Sequence, residues 1–141
     1  MPGTYGSAYS STDDLYKAPG ATVDAGLRRI RNVFDLANAA ITAQTVALLV
    51  ARLREGMAVQ SIEAHTDANI SAINLSFGPA SSNAKYVAAT AGPNATTKRF
   101  VVKFSALDDD PLTAPEDVLV TPSGNWPAAG TLIVDTFVSK R

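Results

Sequence analysis

The sequence predicts an all-β domain behind an irregular N-terminal arm, and three observations carry that expectation. From Gly26 onward the chain breaks into short apolar runs separated by turn residues, which is the spacing of a sandwich or small barrel and not of a helix bundle. Several of these runs alternate apolar and other residues with a period of two. A chain of 141 residues without cysteine also has no disulfide or thiolate-metal staple, so its stability has to come from one packed core.

The arm comprises residues 1–26, "MPGTYGSAYSSTDDLYKAPGATVDAG", and the domain residues 27–141. Met1, Leu15 and Val23 are the arm's large aliphatics, whereas Tyr5, Tyr9 and Tyr16 are three of the 4 tyrosines in the chain. Gly3, Gly6, Pro19, Gly20 and the run Ser10-Ser11-Thr12-Asp13-Asp14 oppose helix and strand periodicity alike. No basic stretch leads into an apolar run, so a secretory signal is not expected and the segment is expected to be retained. Disordered segments are usually poor in aromatics. Three tyrosines therefore point to a segment that is extended alone and ordered against another surface, with Tyr5, Tyr9, Leu15 and Tyr16 as the partner-binding residues. The plain alternative is a frayed terminus.

The domain opens on "LRRIRNVFDL", a strand with Ile30, Phe34 and Leu36 inward and Arg29, Arg31 and Asp35 on a wet, charged face. The next stretch, "ITAQTVALLVARLREGMAV", supports two readings. Val46, Leu49, Val50 and Leu53 have helical spacing, with Thr42 as a cap and Gly56 as a stop. The same residues alternate around alanines as a strand would, with Arg54-Glu55-Gly56 as a hairpin turn into the next strand. Periodicity leaves both open. "MAVQSIEAHTD" reads as a strand through Val59, Ile62 and Thr66. In "SAINLSFG", Ile73, Leu75 and Phe77 share one parity against Ala72, Asn74 and Ser76, which is a half-buried strand. "GPASSNAKYVAATAGPNATT" reads as an irregular surface stretch with a helical turn around Lys85 to Ala89. "KRFVVKFS" is a strand with Phe100, Val102 and Phe104 inward, and "ALDDDPLTAP" is a second surface loop. "EDVLVTP" is a short strand stopped by Pro122. The final run, "GTLIVDTFVSK", sets Leu132, Val134 and Val138 against Ile133 and Phe137, and both its faces are expected to be covered.

Lys and Arg number 12 against 13 Asp and Glu, so no net field directs the protein to nucleic acid or an anionic membrane. No apolar run is long enough to span a bilayer as a helix. Charged residues form 18% of the chain, below the usual quarter or so, which suits a surface largely covered by neighbours. Glu63, His65 and Asp67 share one strand face. A single histidine and two carboxylates strung along a strand converge poorly on one ion, so the expected reading is a solvated face. Asp108-Asp109-Asp110 lacks the spacing of a calcium loop. The sequons at Asn69, Asn74 and Asn94 carry no weight without a secretory signal. Trp126 fits a plug at one end of the sandwich, or else a stacking platform for a sugar. No phosphate loop or nucleophile motif is present, and no enzyme activity, metal or cofactor is expected.

The order of elements resembles the small head decoration, or cement, proteins of tailed bacteriophages. The resemblance covers most of residues 27 to 138 and rests on Leu53-Arg54-Glu55-Gly56-Met57-Ala58-Val59, an "LxxGxxV" pattern running toward "INLSFG", and on a late hairpin spanning "TPSG" and "AGTLIVD". Glu55 stands where a small residue or proline is common, and the arm is longer than usual. This resemblance implies a jelly-roll-like β-sandwich with an extended N-terminal arm, and a strand at Thr42 to Leu53. It also implies a virion protein made in the host cytoplasm, lying on the capsid exterior and stapling major capsid proteins. A homo-oligomer is expected, as a dimer because isologous pairs are commonest. The alternatives are a neck, tail or fibre component, and a lectin-like sandwich using Trp126 and the Asp108 to Asp110 loop.

Overall fold

A computed structural model describes residues 27–103 and 112–140. The arm with Tyr5, Tyr9, Leu15 and Tyr16 lies outside the described residues, as do Phe104 and Asp108-Asp109-Asp110. Among the described residues eight strands follow one another: β1 Leu27–Asp35, β2 Leu48–Leu53, β3 Met57–Thr66, β4 Asn74–Gly78, β5 Val87–Ala91, β6 Thr97–Phe100, β7 Glu116–Pro122 and β8 Thr131–Lys140. They form two four-stranded sheets, ordered β1-β8-β3-β6 and β2-β7-β4-β5, in which all pairs are antiparallel. Eight strands distributed in this way make a double-sheet jelly roll.

Alternation builds the core. Leu132, Val134 and Val138 of β8, Val118 and Val120 of β7, and Leu75 and Phe77 of β4 are all fully buried, each such side chain contributing roughly 1.5–3 kcal/mol. Phe77 and Phe100 come from opposite sheets and meet with ring centroids 5.0 Å apart at a tilt of 56°, a favoured aromatic geometry. Inward Val102 continues the alternation beyond β6, with Val101 exposed.

Two β-bulges account for the runs that period two fitted poorly. In β2 the register shifts between Leu49 and Ala51. The buried residues are therefore Leu48 and Val50 before the shift and Ala51 and Leu53 after it. That parity break imitates helical spacing, and it is why the segment read both ways. The extra residue, Val50, offers its carbonyl to the Asn32 amide of β1 at 2.6 Å. In β3 the shift falls between Val59 and Ser61. Met57 and Val59 face inward before it, Ile62 and Ala64 after it.

Three local expectations are corrected. Arg54-Glu55-Gly56 is a turn, with Gly56 at φ 88°, but β2 and β3 belong to different sheets. The turn is a corner that carries the chain across the sandwich, not a hairpin. The supposed late hairpin is likewise a crossing from β7 to β8. Lys85 to Ala89 is not a helical turn, because Val87–Ala91 pairs with β4 as β5. Buried Tyr86 and Val87 anchor this alanine-rich run where β4 requires a partner, and that requirement overrides local propensity. Trp126 is 1% exposed. Its Nε1 donates to the Val46 carbonyl at 2.8 Å and its backbone N–H to the Gln44 carbonyl at 3.0 Å, so it plugs the core and presents no face to a sugar.

Candidate interaction surface

The outer face of the β1-β8-β3-β6 sheet gathers the chemistry that the sequence scattered. Register places Arg31 of β1 opposite Asp135 of β8, Asp135 opposite Glu63 of β3, and Glu63 opposite Arg99 of β6. One row across the sheet thus reads positive, negative, negative, positive. The next row is Val33, Ile133, His65 and Thr97.

Asp135 is the centre of this face. It is 2% exposed and accepts a bidentate pair from Arg31, Nε to Oδ1 at 2.7 Å and Nη2 to Oδ2 at 2.7 Å. His65 Nε2 lies 3.0 Å from Asp135 Oδ2 and Nδ1 lies 2.8 Å from Thr97 Oγ1. An ionised carboxylate only accepts, so Nε2 carries a proton toward Asp135, while Nδ1 and the Thr97 hydroxyl share the second hydrogen bond. The Arg31 guanidinium holds the Asp135 carboxyl below its ordinary range against the opposing effect of burial, and His65 adds to the lowering. Arg31 is in turn raised above its ordinary value by the bond to Asp135.

Of the three residues anticipated as one strand face, Glu63 and His65 share it, while Asp67 lies beyond the end of β3. Glu63 Oε2 stands 4.0 Å from His65 Nε2. Asp67 Oδ1 instead accepts the Thr131 backbone N–H at 2.7 Å, which secures the start of β8. Sequence reasoning missed Asp135, although a signal was there. An acid inside a run expected to be covered on both faces has to be paired, and Arg29 and Arg31 were the outward cations expected on the first strand.

Leu27 at 61%, Val33 at 61% and Val101 at 86% are the exposed large hydrophobics among the described residues. Leu27 and Val33 stand at outward positions of β1, and Val101 follows directly after β6. The centre of this sheet face is a locked charge cluster, and its β1 edge interleaves exposed Leu27 and Val33 with Arg29, Arg31 and Asp35. Among the described residues no cluster of histidine and acids fit to hold a metal ion occurs.

No family model matches the chain, and no curated protein matches it. Solved structures do. A chain of the cyanophage Pam1 capsid asymmetric unit is similar with TM-score 0.63 and 20% identity, covering 95% of this chain and 99% of that one. A chain of the capsid of Ralstonia phage GP4 is similar with TM-score 0.59 and 16% identity, covering 91% and 93%. A chain of the capsid of Helicobacter pylori bacteriophage KHP30 is similar with TM-score 0.58 and 10% identity, covering 83% and 90%. The chain therefore shares, over most of its length, the fold of chains found in three phage capsids.

Proposed function

We propose that this protein is a structural component of a phage virion, a head decoration protein that binds the outside of an icosahedral capsid and staples neighbouring major capsid proteins. The observation that carries the reading is the near full-length correspondence with capsid chains of similar size. A match covering nearly all of both chains supports reading this domain as a capsid component. Low charge, and exposed Leu27, Val33 and Val101 among the described residues, support docking by shape.

The work asked of such a protein is linkage, not catalysis. Binding the assembled shell more tightly than its separated subunits stabilises the shell by mass action. An arm and a domain that dock on adjacent subunits act through effective concentration, so two weak contacts make one firm attachment. In this reading the protein is made in the host cytoplasm, adds to the capsid exterior and acts as a homo-oligomer.

The test is addition of purified protein to capsids that lack it and that carry no neck, tail or fibres. Saturable co-sedimentation and a higher capsid melting temperature are expected. Absence of binding to such capsids, with binding to tail or neck assemblies, would replace the reading with a neck, tail or fibre role. The lectin-like alternative has lost its stacking platform to the burial of Trp126.

A further inference from the structure

We infer that two copies of this chain pair through the free edges of their β1 strands, antiparallel about a two-fold axis at Asn32, and so continue the β1-β8-β3-β6 sheet across the dimer. The inference concerns the self-association part of the proposed function and stands apart from capsid binding.

The four sheet edges are β1, β6, β2 and β5. β6 spans 4 residues, and β2 and β5 both pair with register shifts. Short length and bulges are the usual ways of blunting an edge. β1 has neither. Its 9 residues run from Leu27 to Asp35 without proline, in unbroken register with β8, and among the described residues no strand lies on its other side.

Charge selects the register. In a continuous sheet with two-fold symmetry, residues that face each other must point to the same side. Centred on Asn32, Arg29 faces the partner's Asp35 twice over, Arg31 faces the partner's Val33, and Ile30 faces the partner's Phe34. Arg31 is already neutralised by Asp135, so its aliphatic stem can cover exposed Val33. Centring on Arg31 sets two guanidinium groups against each other, and centring on Ile30 sets Arg29 against the partner's Arg31. Centring on Val33 leaves only Arg31 to Asp35 in the ladder. The Asn32 register is the longest that is free of like charges.

The experiment uses the full chain in sedimentation equilibrium. A dimer is expected, weakened by salt. Arg29→Asp, which sets acid against acid at an exposed position, is expected to raise its dissociation constant about tenfold or more. Adding Asp35→Arg to that variant restores the pairing with the charges exchanged. Melting curves confirm that both variants fold. Because the chain contains no cysteine, Asn32→Cys gives an independent readout: on the axis it is expected to form a disulfide-linked dimer under oxidation. A monomeric native chain overturns the inference. So do a trimer or higher oligomer, a dimer indifferent to Arg29→Asp, or a double variant that stays dissociated. Capsid binding by a monomer would overturn this inference while leaving the decoration role standing.

Discussion

Asp135 shows how one side chain is held where its chemistry is unfavourable. Its carboxylate is out of water but saturated by Arg31 and His65. Its partners are not so confined, for Arg31 keeps 41% of its side-chain exposure and His65 28%. Asp135→Ala releases donors that can turn to water, and is expected to cost about 1–3 kcal/mol in urea unfolding. Arg31→Ala is expected to destabilise more than Asp135→Ala, because it strands a buried charge; the opposite order would refute the clamp. The lowered pKa also sets a direction with pH. A carboxylate depressed in the folded state contributes fully above its unfolded value of about 3.9 and loses that contribution as pH falls through the folded value. Acid melts should therefore steepen below about pH 4, and Asp135→Asn should flatten them. Thr136, on the opposite face of the same strand, is 0% exposed, and its hydroxyl finds no partner among the described residues. Thr136→Val keeps the shape without the polar group and is expected to stabilise by about 1 kcal/mol, measurable as a higher melting temperature.

Elements in this fold are joined mainly by corners. Among the described strands, β4 and β5 are the consecutive pair that remain neighbours in one sheet, so most connections must turn the chain sharply across the sandwich. Gly56 makes such a turn at φ 88°, and its N–H is tied to the Leu112 carbonyl at 2.8 Å. A β-carbon is disfavoured in that conformation. Gly56→Ala is expected to cost about 1–2 kcal/mol, read as a lower urea midpoint with unchanged slope. The bulges serve a related end. The one at Gln60 reverses which side of β3 faces the core, and thereby brings Glu63 and His65 to the same outer face as Asp135. Without it, the charge row and the buried Ile62 and Ala64 could not coexist in this register.

At the scale of the whole molecule, stability and attachment are expected to separate. The sandwich closes its core with residues from Leu36 to Val138, and the arm's sequence offers little that could join it. Deleting residues 1–24 should shift the melting temperature of the isolated protein only slightly while severely weakening attachment to capsids. Replacing Tyr5, Tyr9 and Tyr16 by alanine should reproduce much of the loss, since a buried aromatic anchor at an interface commonly accounts for about 2 kcal/mol or more. Co-sedimentation of the truncated chain with undecorated capsids measures this directly. Decoration as tight as that of the full chain would reduce the arm to a frayed terminus.

The sequence by itself determined the class of fold and most of the strands, because period-two alternation is written locally: Leu75 and Phe77, Phe100 and Val102, and Leu132 and Val134 all face the core as their parity requires. It also left the run through Leu49 to Leu53 open between helix and strand, without saying why. Only the tertiary structure decided that β2 and β3 carry bulges, that the turn at Gly56 is a corner, and that an alanine-rich run around Ala88 is a strand. The same holds for the site. Arg31, His65 and Asp135 are separated by long stretches of chain, and nothing local in any of the three records the others. They meet because β1, β8 and β3 lie side by side, and strand order is set by burying two apolar faces at once, a condition that belongs to the whole chain and to no segment of it.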